Sequence, residues 1–76
     1  MKEILKVIIE NLVEDKDSVS IEETTENGEM KFEVKVADKD MGKVIGKKGK
    51  IAQSIRTVMK AVAGKENKKI NIEFID

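Results

Sequence analysis

Residues 40–63 read DMGKVIGKKGKIAQSIRTVMKAVA. Gly46 and Gly49 bracket Lys47 and Lys48 at the centre of this stretch. Before them, Met41 to Ile45 is long enough for little more than one helical turn, with Asp40 placed as its N-cap. After them, the spacing of Ile51, Ile55, Val58 and Val62, with Ala52, Met59 and Ala63 beside them, predicts an amphipathic helix over Lys50 to Ala63. Gly64 stands where the left-handed residue that ends such a helix is expected. Glycine has no Cβ, so the chain can turn sharply at Gly46 and Gly49 and another backbone can come close. The loop leads into the start of a helix, where unpaired N–H groups and the positive end of the dipole favour an anion. Lys43, Lys47, Lys48 and Lys50 add charge at the same place. The pattern describes a site for a phosphodiester backbone. The plainer reading of the same residues is a helix–turn–helix connection that needs glycine only for its geometry.

Outward from this stretch, Met1 to Asp15 predicts a helix, because Ile4, Leu5, Ile8, Ile9, Leu12 and Val13 recur at spacings of three and four. Ser18 to Glu26 reads as a strand with Val19 and Ile21 on one side. Asn27-Gly28 suits a two-residue hairpin turn. In Glu29 to Ala37, Met30, Phe32, Val34 and Val36 alternate with Lys31, Glu33 and Lys35, the period of a strand with one buried face. Lys69 to Ile75 alternates again, with Ile70, Ile72 and Phe74 facing one way. The order α-β-β-α-α-β, with one apolar face per element, predicts an α+β fold of two layers, a three-stranded sheet covered on one face by helices.

Composition excludes several functions. At 76 residues there is room for one domain, residues 1–76, and one modest core. With no cysteine there is no disulfide, thiolate catalysis or ordinary zinc site, and with no histidine the commonest general base is missing. The expectation is therefore no enzyme, no cofactor, no metal and no small-molecule substrate. Two Phe and no Trp or Tyr argue against aromatic stacking platforms. No apolar run is long enough to span a membrane and no signal-peptide pattern opens the chain, so a cytoplasmic location is expected. The net charge of zero hides a split. Residues 1–40 carry six lysines against twelve acids, whereas residues 41–69 carry nine basic residues against Glu66 alone. A positive face is expected from residues 41–69.

A P-loop also sets glycines and a lysine before a helix, but the stretch from Gly42 to Gly46 is one residue too short and Lys48 stands where the magnesium-binding hydroxyl belongs. The string VIGKKGKIAQSI instead resembles the core of the KH domain: the apolar pair Val44-Ile45, then GxxG at Gly46 to Gly49, then an apolar position at Ala52, where many members have Ile. The element order is that of the type II KH arrangement. Residues 40–61 are similar to those of the small bacterial single-KH proteins of the KhpA family. The resemblance implies sequence-tolerant binding of single-stranded RNA in RNA metabolism or post-transcriptional regulation. It also implies self-association as a homodimer, or pairing with a larger KH-containing protein of the KhpB/Jag type. Position by position, it implies that Gly46, Lys47, Lys48 and Gly49 clamp the backbone of about four unpaired nucleotides. The bases would then lie between the following helix and the edge of the sheet, with Ile45 and Ile51 as floor or as ordinary core. Arg56 and Lys60 fall about 140° and 180° from Ile51 around the helix, off the apolar stripe and open to phosphates or base edges. Gln53 and Ser54 would supply hydrogen bonds. Val7, Ile9 and Val13 mark a candidate dimer margin on the first helix.

Two other readings fit parts of the pattern. A protein-interaction module on a KH scaffold would have little RNA affinity of its own. A recognition helix for double-stranded DNA would leave the glycine loop unexplained and has few basic residues to offer.

Overall fold

The structure is a computed structural model and describes Met1–Ile75. Helix α1 (Lys2–Leu12) leads through a 3-10 turn into strand β1 (Ser20–Glu26), and a hairpin returns as β2 (Glu29–Lys35). A short helix α2 (Met41–Ile45), a single 3-10 turn (Lys47–Gly49) and a long helix α3 (Lys50–Lys65) cross to β3 (Lys69–Ile75). The sheet order is β1-β2-β3, antiparallel in the first pair and parallel in the second. The parallel pair follows from the crossover: only a connection long enough to carry α2 and α3 brings β3 back in the same direction as β2. The predicted two-layer α+β architecture is the one observed.

One face of the sheet carries the core. Phe32 pairs in register with Ile72, and Met30 and Val34 flank it on the same face. Leu5, Ile9 and Val13 from the α1 segment, Val44 from α2, and Ile55, Met59 and Ala63 from α3 close over them. Asn27 and Gly28 both have positive φ, 53° and 78°, as the two-residue turn requires. Among the described residues no helix is long and apolar enough to cross a membrane.

Several local expectations need correction. The buried stripe of α3 is Ala52, Ile55, Met59 and Ala63, not the row through Ile51, Ile55, Val58 and Val62. Alanines at 52 and 63 let the helix lie close to the sheet, which rotates Ile51 and Val58 outward until they are 36% and 50% exposed. Gly64 lies inside α3, and the left-handed position after it belongs to Asn67 (φ 56°). There Lys68 N–H donates to the Ala63 carbonyl at 2.9 Å and Asn67 N–H to the Gly64 carbonyl at 3.1 Å, the paired bonds of a Schellman end. Helix α1 stops at Leu12 rather than Asp15. Ile9 and Val13 are core residues, so of the three candidates for a dimer margin only Val7 is exposed.

The open face of the sheet is acidic. Glu22, Glu33 and Glu73 stand side by side in one row across the three strands. Lys31, on the neighbouring row, reaches Glu73 at 3.4 Å. The basic residues of α2, the loop and α3 lie in the other layer, so the zero net charge is a sum over two unlike surfaces. Like charges directly opposite in a ladder repel, and Glu33 has one on each side. Glu33→Gln is expected to raise stability by about 0.5 kcal/mol, read as a higher urea midpoint at unchanged slope.

Candidate nucleic-acid interface

Helix α2 is only five residues long, and it is held by Val44, which is fully buried, with Ile45 packed partly against the core. The helix closes with Gly46 N–H donating to the Gly42 carbonyl at 2.9 Å. The chain then turns through Gly46 (φ 75°, ψ 176°), Lys48 (φ 56°, ψ 25°) and Gly49 (φ 73°, ψ 15°). The first of these conformations is essentially reserved for glycine. Lys48 takes a left-handed conformation that disfavours any side chain with a Cβ, a sign that the loop is tightly determined by its neighbours. Gly49 N–H donates to the Gly46 carbonyl at 3.2 Å. Lys47 and Lys48 project into solvent, and Lys50 opens the first turn of α3. The loop therefore brings three lysines to the end of a helix of 16 residues, whose first N–H groups point the same way.

Lys43 is turned away from this group. Its ammonium hydrogen-bonds the Glu14 carboxylate and lies 3.3 Å from an Asp40 carboxylate oxygen. Asp40, predicted as an N-cap, makes no capping bond with its side chain. Its carboxylate is fully buried and instead accepts the backbone N–H of Asp15 at 3.0 Å and of Glu14 at 3.2 Å. The Asp15 N–H bond chiefly holds the Asp40 carboxyl below the usual aspartate range, opposed by burial and helped by the Glu14 N–H and Lys43. Lys43 holds the Glu14 carboxyl down by its hydrogen bond, and that same bond raises Lys43 above the usual lysine range. These three residues tie the segment after α1 to the start of α2, the short helix that leads into the glycine loop. The spacing of Asp40 and Lys43 hinted at a pair. The two backbone donors 25 and 26 residues away left no sign in the sequence.

On the flank of α3 that faces β3, Arg56 Nε donates to the Ile72 carbonyl at 3.0 Å, and its guanidinium lies 5.4 Å from the centre of the Phe74 ring. Further along α3, Lys60 shares a shallow cleft with Lys68, Lys69 and Glu29. Gln53 is exposed one helical turn before Arg56. Ser54 donates back to the Lys50 carbonyl at 3.0 Å. Ile51, expected as floor beside the sheet edge, lies on the opposite flank. With Ile8, Leu12, Lys50, Ser54, Ile55 and Val58 it lines an apolar groove of about 520 Å³ between α1 and α3. Its side chain also backs Gly46: a Cβ built on that glycine would stand 2.6 Å from Ile51 Cγ1. The predicted residues therefore separate. Lys47, Lys48 and Lys50 gather at the loop, and Gln53, Arg56 and Lys60 continue along the β3 flank. Ile51 belongs to the apolar groove, and Lys43 belongs to the tie with Glu14 and Asp40.

Comparison with known proteins follows the same outline. A family model described as "KhpA/KhpB, KH domain" matches residues 2–74. A protein of Clostridium acetobutylicum named RNA-binding protein KhpA is 51% identical over 75 residues, 99% of this chain and 100% of its own length. Proteins of the same name from Clostridium perfringens, 48% identical over 99% of this chain and 100% of its own length, and from Listeria monocytogenes, 38% identical over the full length of both chains, are also similar. No solved structure matches the chain. With a glycine loop of this geometry set between α2 and α3, and a match that runs from α1 to β3, the chain belongs to the KhpA/KhpB KH-domain family.

Proposed function

We propose that residues 1–76 act as one KH unit that binds single-stranded RNA with little sequence preference, Gly46 to Gly49 serving as the backbone clamp. The carrying observation is the loop itself: three positive-φ residues hold Lys47 and Lys48 in solvent at the N-terminus of α3, where the helix dipole adds to their charge. Relatives similar over the full length bear the name RNA-binding protein. Phosphates would approach the two glycines, and the bases would lie along the β3 flank of α3, within reach of Gln53, Arg56 and Lys60. Lys43, already paired with two carboxylates, holds the loop in place more than it attracts the strand. The activity is binding rather than catalysis, exercised in the cytoplasm in RNA metabolism.

The test is fluorescence anisotropy with a short unstructured RNA at two salt concentrations. Wild type is compared with Lys47→Asp/Lys48→Asp after circular dichroism shows both folded. Wild-type binding should weaken with salt, with log K falling by about 0.7 per phosphate neutralised for each unit of log salt. The double variant should lose binding by an order of magnitude or more, since it removes two positive charges and adds two negative ones. Equal binding in both proteins, or none in either, would sink the clamp.

A second reading, a protein-association module with little RNA affinity, is favoured by the apolar groove between α1 and α3, whose rim residues Ile51 and Val58 stand exposed. The two readings combine if the groove pairs with a second KH domain, that of another copy or of a larger KH-containing protein. A pair would present two clamps to one strand and gain affinity through effective concentration.

A further inference from the structure

We propose that Arg56 reads one base of the bound strand, selecting guanine or cytosine over adenine and uracil. The inference rests on the RNA-binding reading above and adds a specificity to it. Arg56 is the only arginine in the chain. Its guanidinium is fixed from two sides, by the bond from Nε to the Ile72 carbonyl at 3.0 Å and by the Phe74 ring 5.4 Å away. An arginine carries five N–H donors in a planar fork, and the Ile72 bond uses one. The four donors on the two Nη atoms remain, and among the described residues no carboxylate forms an ion pair with them. No buried side-chain donor there lacks a partner, so the fork opens to solvent. The side chain is half-buried, and its end is oriented before any ligand arrives.

Such a fork is satisfied by two acceptors side by side in one plane. Phosphate offers them, but phosphate is drawn to the loop, and Arg56 lies seven residues beyond Gly49, about 10 Å along the helix axis. At that distance from a clamped backbone, on the flank that runs beside the sheet edge, a base is the group that reaches it. Guanine presents O6 and N7 together, the commonest specific partner of arginine. Cytosine presents O2 and N3 together. Adenine sets its N7 acceptor beside the N6 donor, and uracil sets each carbonyl beside the N3 donor, so either leaves one arm of the fork facing a donor. Phe74, its ring centre 5.4 Å from the guanidinium carbon, gives the fork a second hold beside the Ile72 bond. Of the other residues on this flank, Lys60 is a point charge and Gln53 is an exposed amide that no hydrogen bond among the described residues holds in place, so Arg56 carries the preference.

The experiment uses four RNAs of eight nucleotides, all-uridine and the same strand with one central guanosine, cytidine or adenosine. A uniform background lets the strand slide until the single base meets Arg56. The guanosine or cytidine strand should bind wild type at least about fivefold tighter than all-uridine, the lower end of what one bidentate contact discriminates. The adenosine strand should match all-uridine within about twofold. In Arg56→Lys, which keeps the charge and loses the fork, the ratio of guanosine or cytidine to uridine should fall to within about twofold of one, whatever happens to overall affinity. The Arg56 Nε–H resonance, unambiguous in a protein with one arginine, should shift with the preferred strand and hold its position with the adenosine strand. Equal affinity for all four RNAs, or a preference that survives in Arg56→Lys, overturns the assignment while leaving the clamp standing. Absence of binding to any of the four removes both.

Discussion

Asp40→Ala should lower the melting temperature by about 10 °C or more, the largest effect expected of any single polar substitution in this chain. The carboxylate is fully buried and serves three partners at once: the N–H of Glu14, the N–H of Asp15 and the ammonium of Lys43. Alanine leaves two backbone donors without acceptors in a site that water reaches poorly, and it removes one of the two acids that hold Lys43. Asp40→Asn keeps one acceptor oxygen and should lose roughly half as much. The sign with pH follows from the depressed carboxyls of Asp40 and Glu14. A carboxyl lowered on folding contributes stability above its unfolded pKa and loses it as pH falls through the folded value. Stability should therefore hold from neutral pH down to the ordinary carboxylate range and decline below it. In Asp40→Asn that acid decline should be shallower. The raised Lys43 contributes stability fully present below the unfolded lysine pKa and lost only as pH rises through the folded one, so it does not shape the acid limb. Thermal unfolding of the three proteins across pH 3 to 7 reads both effects. An Asp40→Ala protein as stable as wild type would mean that water takes over the two donors. The tie anchors the start of α2, which leads into the glycine loop, so a folded Asp40→Asn protein should also bind RNA more weakly at neutral pH.

Gly46→Ala should cost about 3 kcal/mol and Gly49→Ala about 1 kcal/mol, although the two glycines occupy equivalent places in the motif. At Gly46 the backbone sits in a region nearly closed to other residues, and a new Cβ would stand 2.6 Å, 2.9 Å and 3.0 Å from three atoms of Ile51. The third of these is the Ile51 Cβ, which cannot swing aside without moving α3. At Gly49 nothing lies within 4 Å of the added carbon, so only the positive φ of 73° is penalised. Urea unfolding measures the difference. Adding Ile51→Ala to Gly46→Ala should recover part of the loss and leave the backbone strain. Equal costs at the two glycines would overturn both grounds, the closed backbone region at Gly46 and the clash with Ile51. A folded Gly46→Ala protein should also bind RNA poorly, because relieving the clash with Ile51 shifts the loop against α3 and displaces Lys47 and Lys48.

The elements and the loop were legible because each depends on residues close together in the chain. Alternation in Met30 to Val36, the Asn27-Gly28 turn and the glycine–lysine–lysine–glycine string each state a local preference that packing then reinforces. Errors of one turn or less at helix ends have local causes as well: Asn67, one of the few residues besides glycine that tolerate the left-handed position, takes it, and Gly64 is accommodated inside the helix. The face of α3 was misjudged because periodicity assigns an apolar stripe without weighing size. The alanines that bring the helix down onto the sheet have less hydrophobic weight than the isoleucine and valine they turn outward.

From sequence alone come the α+β layers, the order of elements, the hairpin, and a positive, glycine-flanked loop at the start of a long helix. These are set by periodicity, by glycine and asparagine dihedrals and by charge along a short segment, all properties of neighbouring residues. Tertiary structure alone decided that Asp40 faces the chain at residues 14 and 15, that Lys43 is held by Glu14, that Ile51 backs Gly46 beside an apolar groove, and that Arg56 is pinned to the edge of β3 by Ile72 and Phe74. Each of these joins segments that are distant in the chain or depends on which way a helix is rolled on the sheet. The direction of a polar side chain is settled only when the fold shows which donors and acceptors stand opposite it.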